Sequence, residues 1–283
     1  MADITALIIT KNEEKNITDC INSISGFAKR ILVIDSGSTD KTQEISKELG
    51  AEVYYREFDT HARQRNWALD NLNISTKWVL RIDADERFTP ELCNEATQAM
   101  DLHADDDING FVVSAWLYFM GKKLTHGGSR KRKLIIFKTG IGRIEDRKMD
   151  EHTVLLQGTA VPLKNKFLHY DFKDLDSYIK KLNWYAEREA QDYLDSSFNK
   201  GFESNDKSIQ KKRKKKEKYY QVPMFLRCWL YYVYALIIKG NILNGREGMI
   251  YSFLYHFYYR WIVDAKIYEY KKYKKERNNL SSL

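Results

Sequence analysis

The sequence predicts an α/β chain: a parallel sheet with helices on both faces, then a helical, aromatic-rich extension. Three observations lead there. Over the first hundred or so residues, short β-branched runs alternate with stretches of helical spacing. The strand runs are apolar without a break, as expected of strands covered on both faces. Beyond residue 218 the composition changes, and Tyr, Trp and Phe crowd two helical segments separated by KGNILNGREG.

The elements follow in order. ITALIIT (4–10) reads as a buried strand, and Asn12 is placed to cap a helix whose Ile17, Cys20, Ile21 and Ile24 fall on one side. RILVIDS (30–36) is the second strand. STDKTQEISKELG is the second helix, with Ile45 and Leu49 inward, Asp40 as a cap and Gly50 as its stop. AEVYYRE, HARQRNWALDNL and KWVLRID supply a third strand, a third helix and a fourth strand. After about residue 108 the alternation ends. GFVVSAWLYFMG and KLIIFKTG then read as longer strands of a mixed or antiparallel extension, joined through THGGSRKRK. A helix over 174–197 would turn Ile179, Leu182, Ala186, Ala190 and Tyr193 to one side. The polar stretch 199–218, ending KKRKKKEK, reads as an exposed basic linker. This divides the chain into 1–198 (with parts 1–107 and 108–198), 199–218 and a helical 219–283.

The bulk numbers set limits. With 283 residues and 43% hydrophobic content the chain can bury a real core. Three cysteines without a CxxC give neither a disulfide framework nor a zinc site, so a reducing cytosol is expected. MADITALIITKNEE has no basic region leading into a long apolar stretch, and no signal peptide is expected. A net charge of +8 and a pI near 9.1 point to an anionic partner.

Two acid-bearing turns, VIDSGSTD and RIDADE, fall at the carboxyl ends of strands, where open parallel sheets bind ligands. In extended chain Asp83 and Asp85 point to one side. Two such carboxylates can hold a hard divalent cation together with substrate phosphates. A solvated acidic turn before the helix near Pro90 is the plain alternative. No GxGxxG or GxxxxGK[ST] occurs, which disfavours a hydride-transferring dinucleotide enzyme and a P-loop NTPase.

ALIITKNEEKNITDCINSI, VIDSGSTDKTQEI, ARQRNWAL and WVLRIDADERF, in that order and spacing, resemble the family 2 glycosyltransferases of the GT-A fold. MDEHTVLLQG, FLHYDFKDLDSYIKKLNWYA and PMFLRCWLYYVYALIIKGNILNGREG extend the resemblance over nearly the whole chain. They are similar to the subgroup containing bacterial lipopolysaccharide-core β-glucosyltransferases. The resemblance implies a GT-A, Rossmann-like nucleotide-sugar-binding sheet over 1–107 and an acceptor part over 108–198. It also implies metal-assisted transfer from a UDP-sugar, by single displacement with inversion.

Carried across position by position, the resemblance assigns the nucleoside to Thr10, Asn12 and Glu13, with Asp35 reading the base. Arg65 faces the nucleotide, Asp83 lies nearer the ribose and behind the metal ligand, and Ala84 belongs to the same nucleotide-binding stretch. Asp85 and His169 are the implied metal ligands, for Mg²⁺ or Mn²⁺. By itself Glu13 also reads as a favourable charge in a first helical turn, and His169 as a satisfied core residue. The acceptor hydroxyl needs a general base, for which MDEH offers Glu151 and Asp150, with Asp146 of IED as the rival. GGSRKRKL reads either as a source of cations near the donor phosphate or acceptor, or as an exposed hairpin connection.

In the tail, VPMFLRCWLYYVYALII (222–238) is nearly long enough to span a bilayer, but Arg227 and the tyrosines argue against it. Basic residues beside interfacial aromatics predict a tail lying on an anionic membrane surface, which the resemblance implies is the inner face of the bacterial cell membrane. A helical subdomain that packs on the catalytic part, or forms a homodimer, is the alternative. A glycan or lipid-linked acceptor would suit the tail. Two rival functions are a sugar nucleotidyltransferase, which needs a glycine-rich loop where ITKNEEKN stands, and a nucleic-acid-binding protein using KKRKKKEK. The second leaves the strand-end acids unexplained, and no nucleic-acid partner is expected.

Overall fold

In the computed structural model, which describes residues 1–127, 132–146, 152–194 and 207–280, the alternating segments fold as their periodicity requires. They are β1 (Ala2–Thr10), α1 (Glu14–Ser25), β2 (Ala28–Asp35), α2 (Thr42–Glu48), β3 (Glu52–Tyr55), α3 (His61–Asn71) and β4 (Trp78–Asp83). Then come β5 (Glu86–Arg87), α4 (Pro90–Leu102), β6 (Ile108–Phe119), β7 (Lys122–Leu124), β8 (Arg132–Lys138), β9 (Gly142–Ile144), β10 (Thr153–Leu155) and β11 (Thr159–Tyr170). Met1–Tyr118 and Arg130–Asp171 make one compact unit; Phe119–Ser129 and Phe172–Leu283 make a second.

In the first unit the sheet order is β3-β2-β1-β4-β8-β6-β11-β5. The β3 to β4 half is parallel. β8 runs antiparallel to both β4 and β6, and β11 is parallel to β6 but antiparallel to β5. Both faces are covered. Ile4, Ala6 and Ile8 of β1 share one core with Ile17, Ile21 and Ile24 of α1, while Leu7, Leu32 and Val79 pack with Ala68 of α3 and Leu72 just after it on the other.

Burial holds α1 more than its ends do. Ile17, Cys20, Ile21 and Ile24 are all at 0% exposure, and each buried isoleucine contributes roughly 1.5–3 kcal/mol. Glu13 takes the cap position without a side-chain cap bond. Asn12, the expected cap, instead has φ +56° and turns its Oδ1 to accept from Thr39 N at 2.8 Å. Asparagine tolerates that left-handed backbone better than most residues. Asp40 does act at a helix start, accepting from Thr42 N at 3.0 Å, and Gly50 (φ +80°) ends α2's region as expected.

Strand pairing positions the site. The β1 registers set Thr10 beside Asp35 and Ile9 beside Asp83, so the carboxyl ends of β1, β2 and β4 finish together. The β4–β8 register pairs Trp78 with Lys138 and Leu80 with Ile136. Carried three residues further, it brings Lys133 opposite Asp83.

The second unit is helical: α5 (Leu175–Leu194), α6 (Lys207–Gln221), α7 (Leu226–Val233), α8 (Gly245–Tyr251) and α9 (Tyr259–Leu280). Wider turns continue α7 over Tyr234–Ile238 and lead from α8 into α9 over Ser252–Tyr258. The basic run that composition reads as a linker is helical from Lys207. On α5, Leu182, Ala186 and Ala190 are buried as predicted, and Tyr178 takes the innermost place ahead of Ile179. The Phe119 ring meets those of Phe172, Tyr178 and Tyr251 at 4.7, 5.2 and 5.4 Å. Buried Glu189 of α5 accepts from Tyr220 Oη (2.9 Å), Tyr259 Oη and Arg260 Nη1 (2.9 Å). Burial pushes its carboxyl up, but the charges of Arg260 and Lys216 and the tyrosine bonds bring it down to about 2. Among the described residues no helix is long and apolar enough to cross a membrane.

Candidate active site

The loops after β1 and β2 are stitched side by side. Asn12 N donates to Ser38 Oγ at 2.8 Å, Glu13 N to Thr42 Oγ1 at 2.8 Å, and Glu14 N to Asp40 Oδ2 at 3.2 Å. Asp35 organises this wall. Its Oδ1 accepts from Gly37 N (3.0 Å), Ser38 N (2.8 Å) and Gln43 Nε2 (2.7 Å), and its Oδ2 from Thr10 Oγ1 (3.0 Å) and Ser38 Oγ. A carboxylate offers about four lone-pair sites, so these donors fill it. A ligand N–H reaching Asp35 has to displace one of them, and the Ser38 hydroxyl, which rotates, is the easiest to move. Glu13 accepts from Asn16 Nδ2 at 2.8 Å within its own helical turn.

Asp83 is the hub of the next layer. Arg65, only 3% exposed, reaches it from α3, and Lys133 Nζ stands 2.9 Å from its other oxygen. Lys133 also donates to buried Glu86 at 2.6 Å, and Glu86 accepts from Asp83 N at 3.1 Å. Burial alone would push the Asp83 carboxyl up, but Lys133, Arg65 and Arg81 outweigh it and hold it well below the usual carboxylate range. The same burial works against the Lys133 ammonium, and Asp83 and Glu86 raise it in compensation. Arg65 therefore meets Asp83 directly through Nη2, while its buried Nε has no hydrogen-bond partner.

Beyond Asp83 the backbone turns. Arg87 Nη1 donates to the carbonyls of Ala84 (2.8 Å) and Glu86 (3.0 Å), and Nη2 to Asn16 Oδ1 at 3.2 Å, bracing the turn against α1. The two-residue strand β5 pairs Glu86 with His169 and Arg87 with Leu168, and Tyr170 N donates to the Asp85 carbonyl at 2.8 Å. This brings Asp85, His169 and Asp171 together, with one ligand atom from each within 4.8 Å of the others. His169 Nε2 lies 3.4 Å from Asp85 Oδ2, and its buried Nδ1 has no hydrogen-bond partner. In an octahedral shell, neighbouring ligands stand roughly 3 Å apart. Two carboxylates and an imidazole gathered within 4.8 Å of one another are a donor set that could hold one divalent cation.

A third layer carries Asp146. α3 reaches it through Asn66, which donates to Ile144 O (2.8 Å) and accepts from Ile144 N (3.0 Å), fixing β9 and its antiparallel partner β10. Next to Asn66 on α3, Gln64 Nε2 donates to Ile34 O at 3.2 Å. The RQRN stretch thus ties the ends of β2, β4 and β9 to one helix. Asp146 pairs with Arg63 at 3.1 Å on the surface. Asp150 and Glu151 lie outside the described residues; on either side of them Glu145 N donates to His152 O at 2.9 Å.

Thr10, Asn12, Glu13, Asp35, Arg65, Asp83, Ala84, Asp85 and His169 are thus gathered at one sheet edge. Arg87 and Asp171 join them unforeseen, and so do Glu86 and Lys133, from the acidic turn and the basic GGSRKRKL run, to which no individual role was assigned. Asp171 had a signal, since it stands two residues after His169, the same spacing that singled out Asp83 and Asp85. Lys133 had none beyond its place in a basic run.

Comparison with known proteins agrees in kind. The sequence profile described as Glycosyl transferase family 2 matches residues 5–161. An uncharacterised glycosyltransferase of Rickettsia typhi is 25% identical over 291 residues, covering 100% of this chain and 91% of that one. The lipopolysaccharide core biosynthesis glycosyltransferase LpsC of Rhizobium meliloti is 30% identical over 200 residues, covering 68% of this chain and 72% of that one. Among solved structures, glucosyl-3-phosphoglycerate synthase from Mycobacterium tuberculosis, in complex with Mn²⁺, UDP and glucosyl-3-phosphoglycerate, aligns at 24% identity. The alignment covers 41% of this chain and 44% of that one, with a TM-score of 0.33.

Proposed function

The chain belongs to glycosyl transferase family 2, and from that premise we propose that it moves a hexose or N-acetylhexosamine from a UDP-sugar to a hydroxyl group of a cell-surface glycan or glycolipid. The observation that carries this reading is the convergence of Asp85, His169 and Asp171 two residues beyond an aspartate held ionised by Arg65 and Lys133. The name of the Rhizobium relative supports a lipopolysaccharide-type acceptor. A lipid-linked acceptor in turn fits a protein resting peripherally on the inner face of the cell membrane.

Asp85, His169 and Asp171 would hold a divalent cation, which would supply positive charge to offset the negative charge developing on a departing diphosphate. The rest falls to the chain. Thr10, Asn12 and Glu13 form one wall for the nucleoside, with Asp35 accepting from the uracil N–H once the Ser38 hydroxyl turns away. Asp83, kept ionised, accepts from the ribose hydroxyls beside Ala84. Glu151 takes the acceptor proton, with Asp150 and Asp146 as rivals, and displacement from the opposite face inverts the anomeric centre.

The test is a screen for nucleotide release across UDP-, GDP- and dTDP-sugars, with Mg²⁺, Mn²⁺ or chelator and a lipopolysaccharide-core acceptor. Turnover confined to UDP-sugars and lost in chelator is expected. A preference for another nucleotide overturns the donor reading, and undiminished turnover in chelator overturns the metal.

A further inference from the structure

Helix α7 reverses the usual amphipathic arrangement. Its inward face carries Arg227, whose Nε donates to both Asp264 oxygens at 3.0 Å. Its outward face carries Leu226, Trp229, Leu230 and Val233, and the wider turn continues it with Ile237 and Ile238. Leu226, Trp229, Leu230 and Val233 of α7 are separated by three and four residues, which keeps them on one side of the helix, and Ile237 and Ile238 continue the exposed surface on the wider turn. They are open to solvent: Leu230 is 55% exposed and Ile238 72%. Leu243, at 69%, and Phe253 extend exposed apolar surface into the segment that follows. Single exposed apolar residues need no explanation, but a continuous stripe marks a contact surface.

The charges around the stripe say what kind of surface it meets. Between Tyr219 and Asp264 the sequence has two acids, Glu247 and Asp264. Both are matched, Glu247 by Lys122 Nζ at 3.0 Å and Asp264 by Arg227. Lys239 and Arg246 are exposed, the first directly after Ile238 and 5.5 Å from the Tyr234 ring centre. An apolar stripe rimmed by cations, Trp and Tyr is the composition of helices that lie in a membrane interface.

We propose that this face of the second unit, Leu226–Ile238 with Leu243 and Phe253, docks on an anionic lipid surface. The apolar side chains enter the headgroup boundary, and Lys239 and Arg246 meet the lipid phosphates. A second copy of the chain is the poorer occupant, because it sets the same cations against a molecule of net charge +8; anionic lipid neutralises them. The inference stands apart from the choice of donor or acceptor.

Flotation of the full chain with vesicles of phosphatidylcholine, with and without phosphatidylglycerol, tests it. The protein floats with the anionic vesicles, and the bound fraction falls as salt rises. Leu230→Glu with Ile237→Glu lowers the partition at least about tenfold and leaves the thermal unfolding midpoint unchanged, since both side chains are exposed. Lys239→Glu with Arg246→Glu weakens the preference for anionic vesicles. Three results overturn the proposal. The native chain fails to float at low salt; or the Leu230→Glu, Ile237→Glu variant floats undiminished, which transfers attachment to the basic run on α6. In the third, the chain ignores vesicles and elutes as a dimer that this variant dissolves, which makes the face a contact between copies.

Discussion

Between Asp83 and Asp85 the chain places two carboxylates of the same spacing class in different surroundings. Asp83 is gripped by Arg65 and Lys133, while Asp85 faces His169 and Asp171. Asp85→Asn keeps the shape and removes one unit of negative charge. Metal-dependent transfer is expected to fall at least about 100-fold, in line with the several kcal/mol that a bound cation supplies, with the circular dichroism spectrum unchanged. For the base, Glu151→Gln should lower kcat by about 10²–10⁴-fold with donor affinity close to native, and Asp150→Asn and Asp146→Asn should remain active. A dead Asp146→Asn beside an active Glu151→Gln moves the base to the other side of the β9–β10 connection. The carboxylates were legible because spacing by two on an extended strand is a local property. Lys133 was not, because its place depends on which strand lies beside β4 and in what register. Neither is written near residue 133.

At the scale of elements, the four alternating strands and three helices were legible in kind and order, though not in their ends, since continuous apolar runs and helical spacing are each visible within a dozen residues. The later pairing was not. β5 is two residues long, too short for any period, yet it carries His169 to Asp85. α7 was legible only in part: Arg227 and the tyrosines argued against a span and for an interfacial helix, but nothing local showed that the buried face is set by the Arg227–Asp264 ion pair. Arg227→Ala leaves Asp264, which is 1% exposed, without its partner. A loss of about 3–5 kcal/mol is expected, because an uncompensated buried charge is costly. The double variant Arg227→Met, Asp264→Leu should recover most of it, and denaturant unfolding of the three proteins checks the order. A double variant as unstable as the single one would show that the pair's hydrogen bond to Phe225 N (2.8 Å from Asp264 Oδ2) matters more than its charge.

For the whole molecule, pH enters through the second unit. His256 is buried among the rings of Tyr231, Tyr251 and Tyr255. Burial, helped by the charge of Arg260, lowers its pKa from 6.5 to about 3. The folded protein thus holds the ring neutral where the unfolded chain would take a proton. The associated stability is complete above pH 6.5 and is lost as pH falls toward 3, by up to about 1.4 kcal/mol per pH unit. Thermal unfolding at pH 7 and pH 5 should show the drop, and His256→Phe should remove His256's share of it; an unchanged slope in that variant assigns the acid sensitivity elsewhere. The division into units has a separate consequence. The chain passes from one to the other after Tyr118, back after Ser129, and across again after Asp171. Phe119, whose ring partners are Phe172, Tyr178 and Tyr251, belongs to the second unit although it ends a strand of the first. Truncation after Asp171 should therefore give aggregated protein, not a soluble catalytic fragment, as gel filtration would report. In inheritance, too, the helical unit is not a cassette: a single crossover between related genes near residue 171 would join a Phe119 loop from one parent to helices from the other. Relatives can exchange this unit only by carrying residues 119–129 along with it.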